Sequence, residues 1–321
     1  MKRLVLPILL FLVMPVFAAY SGNLGNSIDS AMDSLGCSKG DSRMCVLSNS
    51  LYVDPAAVDI LQEHTGCTIG NANLLFYHTP TDADLTVALF RRDIREAVVI
   101  TAGKNGLKRN IKLGIDRTLA EQKAPWEQMR SKIGPDAVTI VTICNAWADG
   151  APYDLLKCAE FHNHVCRGIC SGYLLSRFIR EHYPIKNPKS YLYIACPVWC
   201  KEEALQVLLD ITPGKHRLIV KNLSSKQLTH LPSKDVAGIL VIRQSRFGPG
   251  QAHVLTFDWE KALAGRNSKG GLKPNPISWN DPPETYIHVV YEIDLSTEQI
   301  NLLGQAGVNP YDVIGYVRVE K

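Results

Sequence analysis

Short apolar runs alternate with polar punctuation along the chain, and that rhythm predicts mixed α and β structure. LTVALFRR (85–92), EAVVITAG (96–103), AGILVIRQ (237–244) and AHVLTFDW (252–259) are apolar or β-branched runs bounded by polar turns, the pattern of strands. YIHVVYEIDL (286–295) reads the same way, and AVTIVTICNAW (137–147) reads as a buried strand. Between these lie segments with helical spacing. RTLAEQKAPWEQMRSKIG (117–134) is helical but split near Pro125, and YDLLKCAEFHNH (153–164) is a helix entered from the polar link ADGAP (148–152). STEQINLLGQAG (296–307) is a helix with Ser296 as N-cap and Glu298 in its first turn, and VIGYVRVE (313–320) closes the chain as a strand. The Gly-, Pro- and Asn-rich stretch 267–283 reads as an exposed excursion. Helices mixed with neighbouring strand pairs argue for an α+β fold over a regular βαβ chain.

The pattern repeats. VDPAAVDILQEHTGCTIGNANLLFYH (53–78) aligns without a gap on VWCKEEALQVLLDITPGKHRLIVKN (198–222) when Leu61 is set on Leu205. Gln62 then falls on Gln206, Thr68 on Thr212, Gly70 on Gly214 and Leu74 on Leu218. Each copy has the same grammar: a short helix, a Thr-x-Gly turn, an apolar strand, then two further strands. The chain therefore divides near residue 150 into two α+β units, 20–150 and 151–321, with mixed or antiparallel sheets, flanking helices and an approximate two-fold relation.

The first 19 residues stand apart. Lys2 and Arg3 precede an apolar core, Leu4 to Val13, and Val16-Phe17-Ala18 offers residues that a signal peptidase reads. This pattern predicts a signal peptide and a mature protein that is secreted, periplasmic or at the cell surface. The alternative, a retained anchor, needs an apolar run of about 20 residues, longer than this one. No later run is long and apolar enough to span a membrane. The rest, 46% hydrophobic and 21% charged, is globular in composition. Removing Lys2 and Arg3 takes the formal charge from +4 to +2, which gives no electrostatic argument for a nucleic-acid partner.

Nine cysteines follow the leader: Cys37, Cys45, Cys67, Cys144, Cys158, Cys166, Cys170, Cys196 and Cys200. An odd number cannot all pair within one chain. Cys37 and Cys45 flank a polar loop and suit a local bridge. The densest chemistry is FHNHVCRGICSG (161–172). His162, His164 and Cys166 alternate, so an extended segment would point all three the same way. Cys166 then opens a helix running through Tyr183, with Pro184 as its stop; Cys170, Leu174 and Phe178 continue an i, i+4 stripe that assigns Cys170 to the core. Cys158 is assigned to packing and His182 to a helix end. Imidazole and thiolate are ligands for zinc and other borderline or soft ions, and a helix N-terminus favours a thiolate. A second limb, CPVWC (196–200), sits between the strand YLYIA (191–195) and a helix beginning at Lys201.

These motifs resemble the FmdE family, which is associated with formylmethanofuran dehydrogenase. Phe161-His162-Asn163-His164-Val165-Cys166-Arg167-Gly168 with Gly172-Tyr173 is similar to that family's Phe-His-Gly-His-x-Cys-Pro-Gly and Gly-Tyr signature, with Asn163 and Arg167 in place of Gly and Pro. The second family motif resembles Val58-Asp59, Gln62, Thr65-Gly66-Cys67-Thr68, Gly70 and Asn73-Leu74 in the first copy. Its counterparts in the second are Cys200, Ala204, Gln206, Thr212, Gly214-Lys215 and Leu218, with Ile211 where the family has cysteine. The resemblance implies tandem FmdE-like units, the first degenerate, acting as a monomeric pseudo-dimer. The ligand chemistry of these residues points to a metal, most simply zinc, held by His162, His164 and Cys166 with Cys200 as a fourth ligand or a nearby thiol, and with Cys67 and Cys196 as additional candidates. One site built from both units, using Cys67, is a further expectation. The family is named for association with a cytoplasmic molybdenum or tungsten enzyme of methanogenesis, whereas this chain carries an export pattern, so formylmethanofuran oxidation is not expected.

Three functional classes remain open at this level. The first is an exported metal-binding protein acting on an unknown small molecule. The second is a thiol enzyme, with Cys166 or Cys200 as nucleophile or redox thiol and His162 or His164 as base. The third is a module binding a small anionic cofactor or a tetrapyrrole metal. Nucleophile-elbow, Walker and dinucleotide motifs are absent from the sequence.

Overall fold

The computed structural model describes residues 23–316 apart from 225–226, 228–230, 265–269 and 274–276. The signal-peptide segment and residues 317–320 of the expected closing strand lie outside the described residues. The first unit runs α1 (Leu24–Leu35), β1 (Met44–Ser48), α2 (Ser50–Val53), α3 (Ala56–Thr65), β2 (Leu74–Phe76), β3 (Leu85–Arg91), β4 (Glu96–Gly103) and β5 (Gly106–Gly114). Four helices follow: α4 (Arg117–Ala120), α5 (Lys123–Ile133), α6 (Ala137–Ala148) and α7 (Tyr153–His162). The second unit, 151–321, opens with α7 and continues through α8 (Arg167–His182), β6 (Ser190–Ala195), α9 (Lys201–Leu209), β7 (Leu218–Val220), β8 (Val236–Arg243) and β9 (Gly250–Phe257). It closes with α10 (Trp259–Leu263), β10 (Ile287–Leu295), α11 (Thr297–Leu303) and α12 (Pro310–Val313).

The architecture is α+β with two five-stranded mixed sheets of identical strand order. The sheets run β2-β1-β3-β4-β5 and β7-β6-β8-β9-β10. In each, the first strand pairs in parallel with the second, Val46 opposite Leu74 and Tyr193 opposite Leu218, and every other pairing is antiparallel. The aligned residues Leu74 and Leu218 both begin the short parallel edge strand. A parallel pair needs a crossover, which α3 and α9 supply.

Strand alternation sorts side chains into three cores. Met44 and Val46 face α1 and α3, whereas Cys45 and Leu47 face the middle of the molecule. Tyr191 and Tyr193 also face the middle, while Leu192 and Ile194 pack towards α11 and α12. The middle core thus joins the inner faces of both sheets around α5 to α9. Strands covered on both faces need no polar alternation, which is why β1 and β6 are buried throughout.

Several expectations are corrected here. Residues 137–147 form helix α6, not a strand. Its apolar character comes from burial in the middle core, and a helix buried on most sides loses the amphipathic signal. Its buried amide, Asn145, is satisfied by donating to Ile115 O and Val141 O, each at 2.7 Å. The 117–134 segment breaks at Glu121-Gln122, before Pro125, which fits within the first turn of α5 where no N–H is missed. Cys37 and Cys45 are both free thiols, because Cys37 packs with α1 while Cys45 points to the opposite side of the sheet. Val313 ends α12 and does not begin a strand.

The 267–283 stretch is also no simple excursion. Gly271 N and Leu272 N donate to Glu121 O and Ala120 O, and Ile277 and Trp279 are buried in the middle core. The second unit therefore straps itself onto the first. Ser296 caps α11 in a full capping box with Gln299. No helix among the described residues is long and apolar enough to cross a membrane.

Candidate metal centre

The site forms where the end of α7 and the starts of α8 and α9 converge. His162 is the last residue of α7, and Asn163 ends that helix in the left-handed conformation (φ 66°, ψ 2°). The extended His-x-His-x-Cys arrangement is thus corrected: a helix end followed by a tight reversal replaces it. Only glycine and, less easily, asparagine adopt this conformation routinely. Asn163 adds what glycine lacks. Its carboxamide accepts from His78 N at 2.7 Å and donates to His78 O at 2.8 Å. Two residues before the helix end, Glu160 accepts from Phe76 N at 2.7 Å. The end of α7 therefore takes up backbone groups along and beyond the open edge of β2.

Cys166 is the N-cap of α8, its Sγ accepting from Ile169 N at 3.5 Å. Arg167 occupies the first helical position, where proline is favoured because the N–H there has no helical partner. Cys200 opens α9 in the same region. A Cβ added to Gly168 would lie 2.6 Å from Cys200 Cβ, and one added to Gly172 would strike the Lys201 carbonyl oxygen. The two glycines let α8 and α9 touch through their backbones, and that contact brings the thiols together. A buried ion pair holds the turn into α9. Lys201 Nζ lies 2.5 Å from Glu202 Oε1 and donates to Pro197 O at 2.8 Å, and Glu202 accepts from Trp199 N at 2.8 Å.

Three donor atoms, from His162, Cys166 and Cys200, lie within 4.8 Å of one another. His162 Nε2 is 3.5 Å from Cys166 Sγ. On the other side of that ring, Nδ1 is 2.7 Å from Glu203 Oε2. A carboxylate there accepts a hydrogen bond from Nδ1–H, which keeps the proton on Nδ1 and leaves the Nε2 lone pair facing the thiols, the outer-shell arrangement of metal-bound histidine. Sequence reasoning misses Glu203. Its only signal is position, one helical turn after Cys200 and on the same face of α9.

The other sequence candidates lie elsewhere. His164 packs against His162 with ring centroids 4.3 Å apart and the rings tilted by 34°, and faces an adjoining pocket, outside the three-donor group. Burial, then the neighbouring His162, lowers its pKa. Cys67 is buried in the core between α1, α3 and the first sheet, its Sγ directed at Met44 O. Cys196 is buried on the far face of the second sheet, and its carbonyl accepts from Tyr311 Oη. Cys170 and Cys158 are fully buried in the middle core. His182 ends α8 and pairs with Glu284 at 2.6 Å.

Burial pushes the Cys166 thiol up to about 12 and raises Cys200 as well. Burial thus favours the thiol form of both, and a thiolate there needs compensating charge. A cation between the sulfurs would supply it. The pocket beside them has a volume of ≈ 350 Å³ and is lined by His164, Cys166, Arg167, Trp199, Cys200 and Lys273, among others.

Residues 161–264 match the family described as FmdE, Molybdenum formylmethanofuran dehydrogenase operon. The chain therefore carries an FmdE domain, and that domain contains all three clustered donors and Glu203. No curated protein matches the chain.

Proposed function

We propose that this chain is an exported metal-binding protein of FmdE type, with zinc held by His162, Cys166 and Cys200. The observation that carries the reading is the convergence of those three donors with Glu203 bound to the far nitrogen of His162. One nitrogen and two sulfurs suit zinc, and a three-residue donor set is the mark of sites that keep a position open for water or substrate. Bound there, the ion would act as a Lewis acid on a water or a carbonyl. Arg167 and Lys273 face the same pocket, and His164, whose pKa is lowered, stands beside His162 as a neutral hydrogen-bonding group or a fourth ligand. The export half of the reading rests on the leader pattern of residues 1–19. The matching strand orders of the two sheets support a tandem origin in which only the second unit keeps the donor set.

Elemental analysis of purified protein tests the metal. One equivalent of zinc is expected, lost in His162→Ala, Cys166→Ala and Cys200→Ala. Protein that takes up no transition metal even when zinc is supplied would end this reading.

A further inference from the structure

The pocket beside the donor cluster has one sign of charge. It reaches from the two thiols to Arg167 and Lys273, and no carboxylate among the described residues lines it. A small recess shares its Leu272 and Lys273 wall and contains Glu121, but that carboxylate lies 3.5 Å from Arg117. Apart from Thr142 and His164, the remaining walls are apolar or aromatic. Val138 and Leu272 line the pocket, and Trp199 stands at its edge 47% exposed, in edge contact with Trp259 at a centroid distance of 4.9 Å. At ≈ 350 Å³ the volume is that of a small-metabolite site, near the lower end of the usual range of roughly 300–1,000 Å³.

The strap explains why this combination exists. Lys273 and Leu272 belong to the segment hydrogen-bonded along Glu121 and Ala120, while Arg167 belongs to α8 and Trp199 to the turn before α9. With Val138 of α6, four separate pieces of chain thus converge on one cavity. A half-buried guanidinium and an exposed ammonium with an indole beside them recognise a flat organic anion. Guanidinium binds carboxylate in two parallel hydrogen bonds, and an aromatic ring covers an apolar body.

We propose that this pocket binds a small organic carboxylate with a flat apolar body, its anionic group held between Arg167 and Lys273 and its body against Trp199 and Leu272. The ligand would lie beside the donor cluster, so the placement near a metal rests on the metal reading above, while the anion recognition does not.

The test uses benzoate and its neutral counterpart benzamide, titrated calorimetrically into the full chain, both zinc-loaded and chelator-stripped, with metal content measured in every sample. Benzoate is expected to bind at least about tenfold more tightly than benzamide. Arg167→Gln and Lys273→Gln should each weaken benzoate about tenfold without changing metal content, and Trp199→Ala should weaken both compounds. Equal binding of benzoate and benzamide, or no binding of either, would overturn the proposal. So would benzoate binding that ignores both cations and disappears with the metal, since the anion would then be sitting on the ion. Failure to load zinc sinks the metal reading alone, because the comparison of benzoate with benzamide in stripped protein still decides the pocket.

Discussion

Asn163 and His78, 85 residues apart, bind each other through a pair of hydrogen bonds in which one side chain mimics a strand. The amide of Asn163 occupies both backbone groups of His78, just beyond the edge strand of the first sheet. The loop carrying His162, His164 and Cys166 is thereby registered against the first unit. That unit contributes no donor to the cluster, yet it holds the loop that does.

Replacing Asn163 separates conformation from contact. Asn163→Gly keeps the left-handed backbone freely and loses two solvent-exposed hydrogen bonds, so stability should fall by no more than about 1 kcal/mol. Asn163→Ala loses the same bonds and adds a left-handed penalty of about 1–2 kcal/mol. Chemical denaturation of both variants measures the difference. Zinc competition with a chelator should show weaker binding in both, because the loop loses its anchor.

Gly168→Ala should damage the centre without touching a ligand. The new Cβ would meet Cys200 Cβ at 2.6 Å, and the crowded atoms belong to a short side chain at a helix start that cannot swing aside. Forced displacement in a packed contact costs about 1–3 kcal/mol. Lower melting temperature together with weaker metal binding is the expected pair of results; an unchanged zinc affinity would show that α8 and α9 adjust independently of the thiols.

Glu203→Gln should weaken metal binding by roughly 10–100-fold while leaving the fold intact. The carboxylate is part-exposed and its role is to accept a hydrogen bond from Nδ1–H of His162 and fix the ring. Circular dichroism reports the fold, and competition with a chromophoric chelator reports the affinity. Glu203→Ala should be at least as weak.

Metal loading should release protons. Burial raises Cys166 to about 12 and Cys200 in the same direction, so both are thiols at neutral pH without an ion. An ion binds the thiolates and displaces their protons, so affinity should rise with pH by up to about tenfold per unit for each proton released. Calorimetry in two buffers of different ionisation enthalpy counts those protons. A count near zero would remove the cysteines from the ligand set.

Local pattern carries far in this chain. Strands β2, β3, β4 and β6 to β10, the helix beginning at Cys166, the capped helix at Ser296 and the alignment of Leu74 with Leu218 are legible because each depends on spacing and punctuation within a few residues, whereas β1 and the mostly exposed β5 are not picked out by their pattern. Residues 137–147 look like a strand for a tertiary reason: α6 is enclosed by the middle core, and enclosure erases the polar face that marks a helix. The strap at 270–273 is invisible to local pattern because its backbone answers to Ala120 and Glu121, far away in sequence.

For the site, the sequence by itself determined the donors' chemistry: histidines and cysteines concentrated in 161–172 and at 196–200, in a pattern the FmdE match from 161 to 264 contains. Only the tertiary structure decided which of them meet. His162, Cys166 and Cys200 converge because two glycines on α8 admit the start of α9, and Glu203 joins because helix periodicity turns it to the same side. Cys67 and Cys196 part from them because strand and helix packing assigns each to a different core. Residue type sets what a side chain can bind, but bringing His162 and Cys200 within 4.8 Å of each other from distant points of the chain is a property of packing.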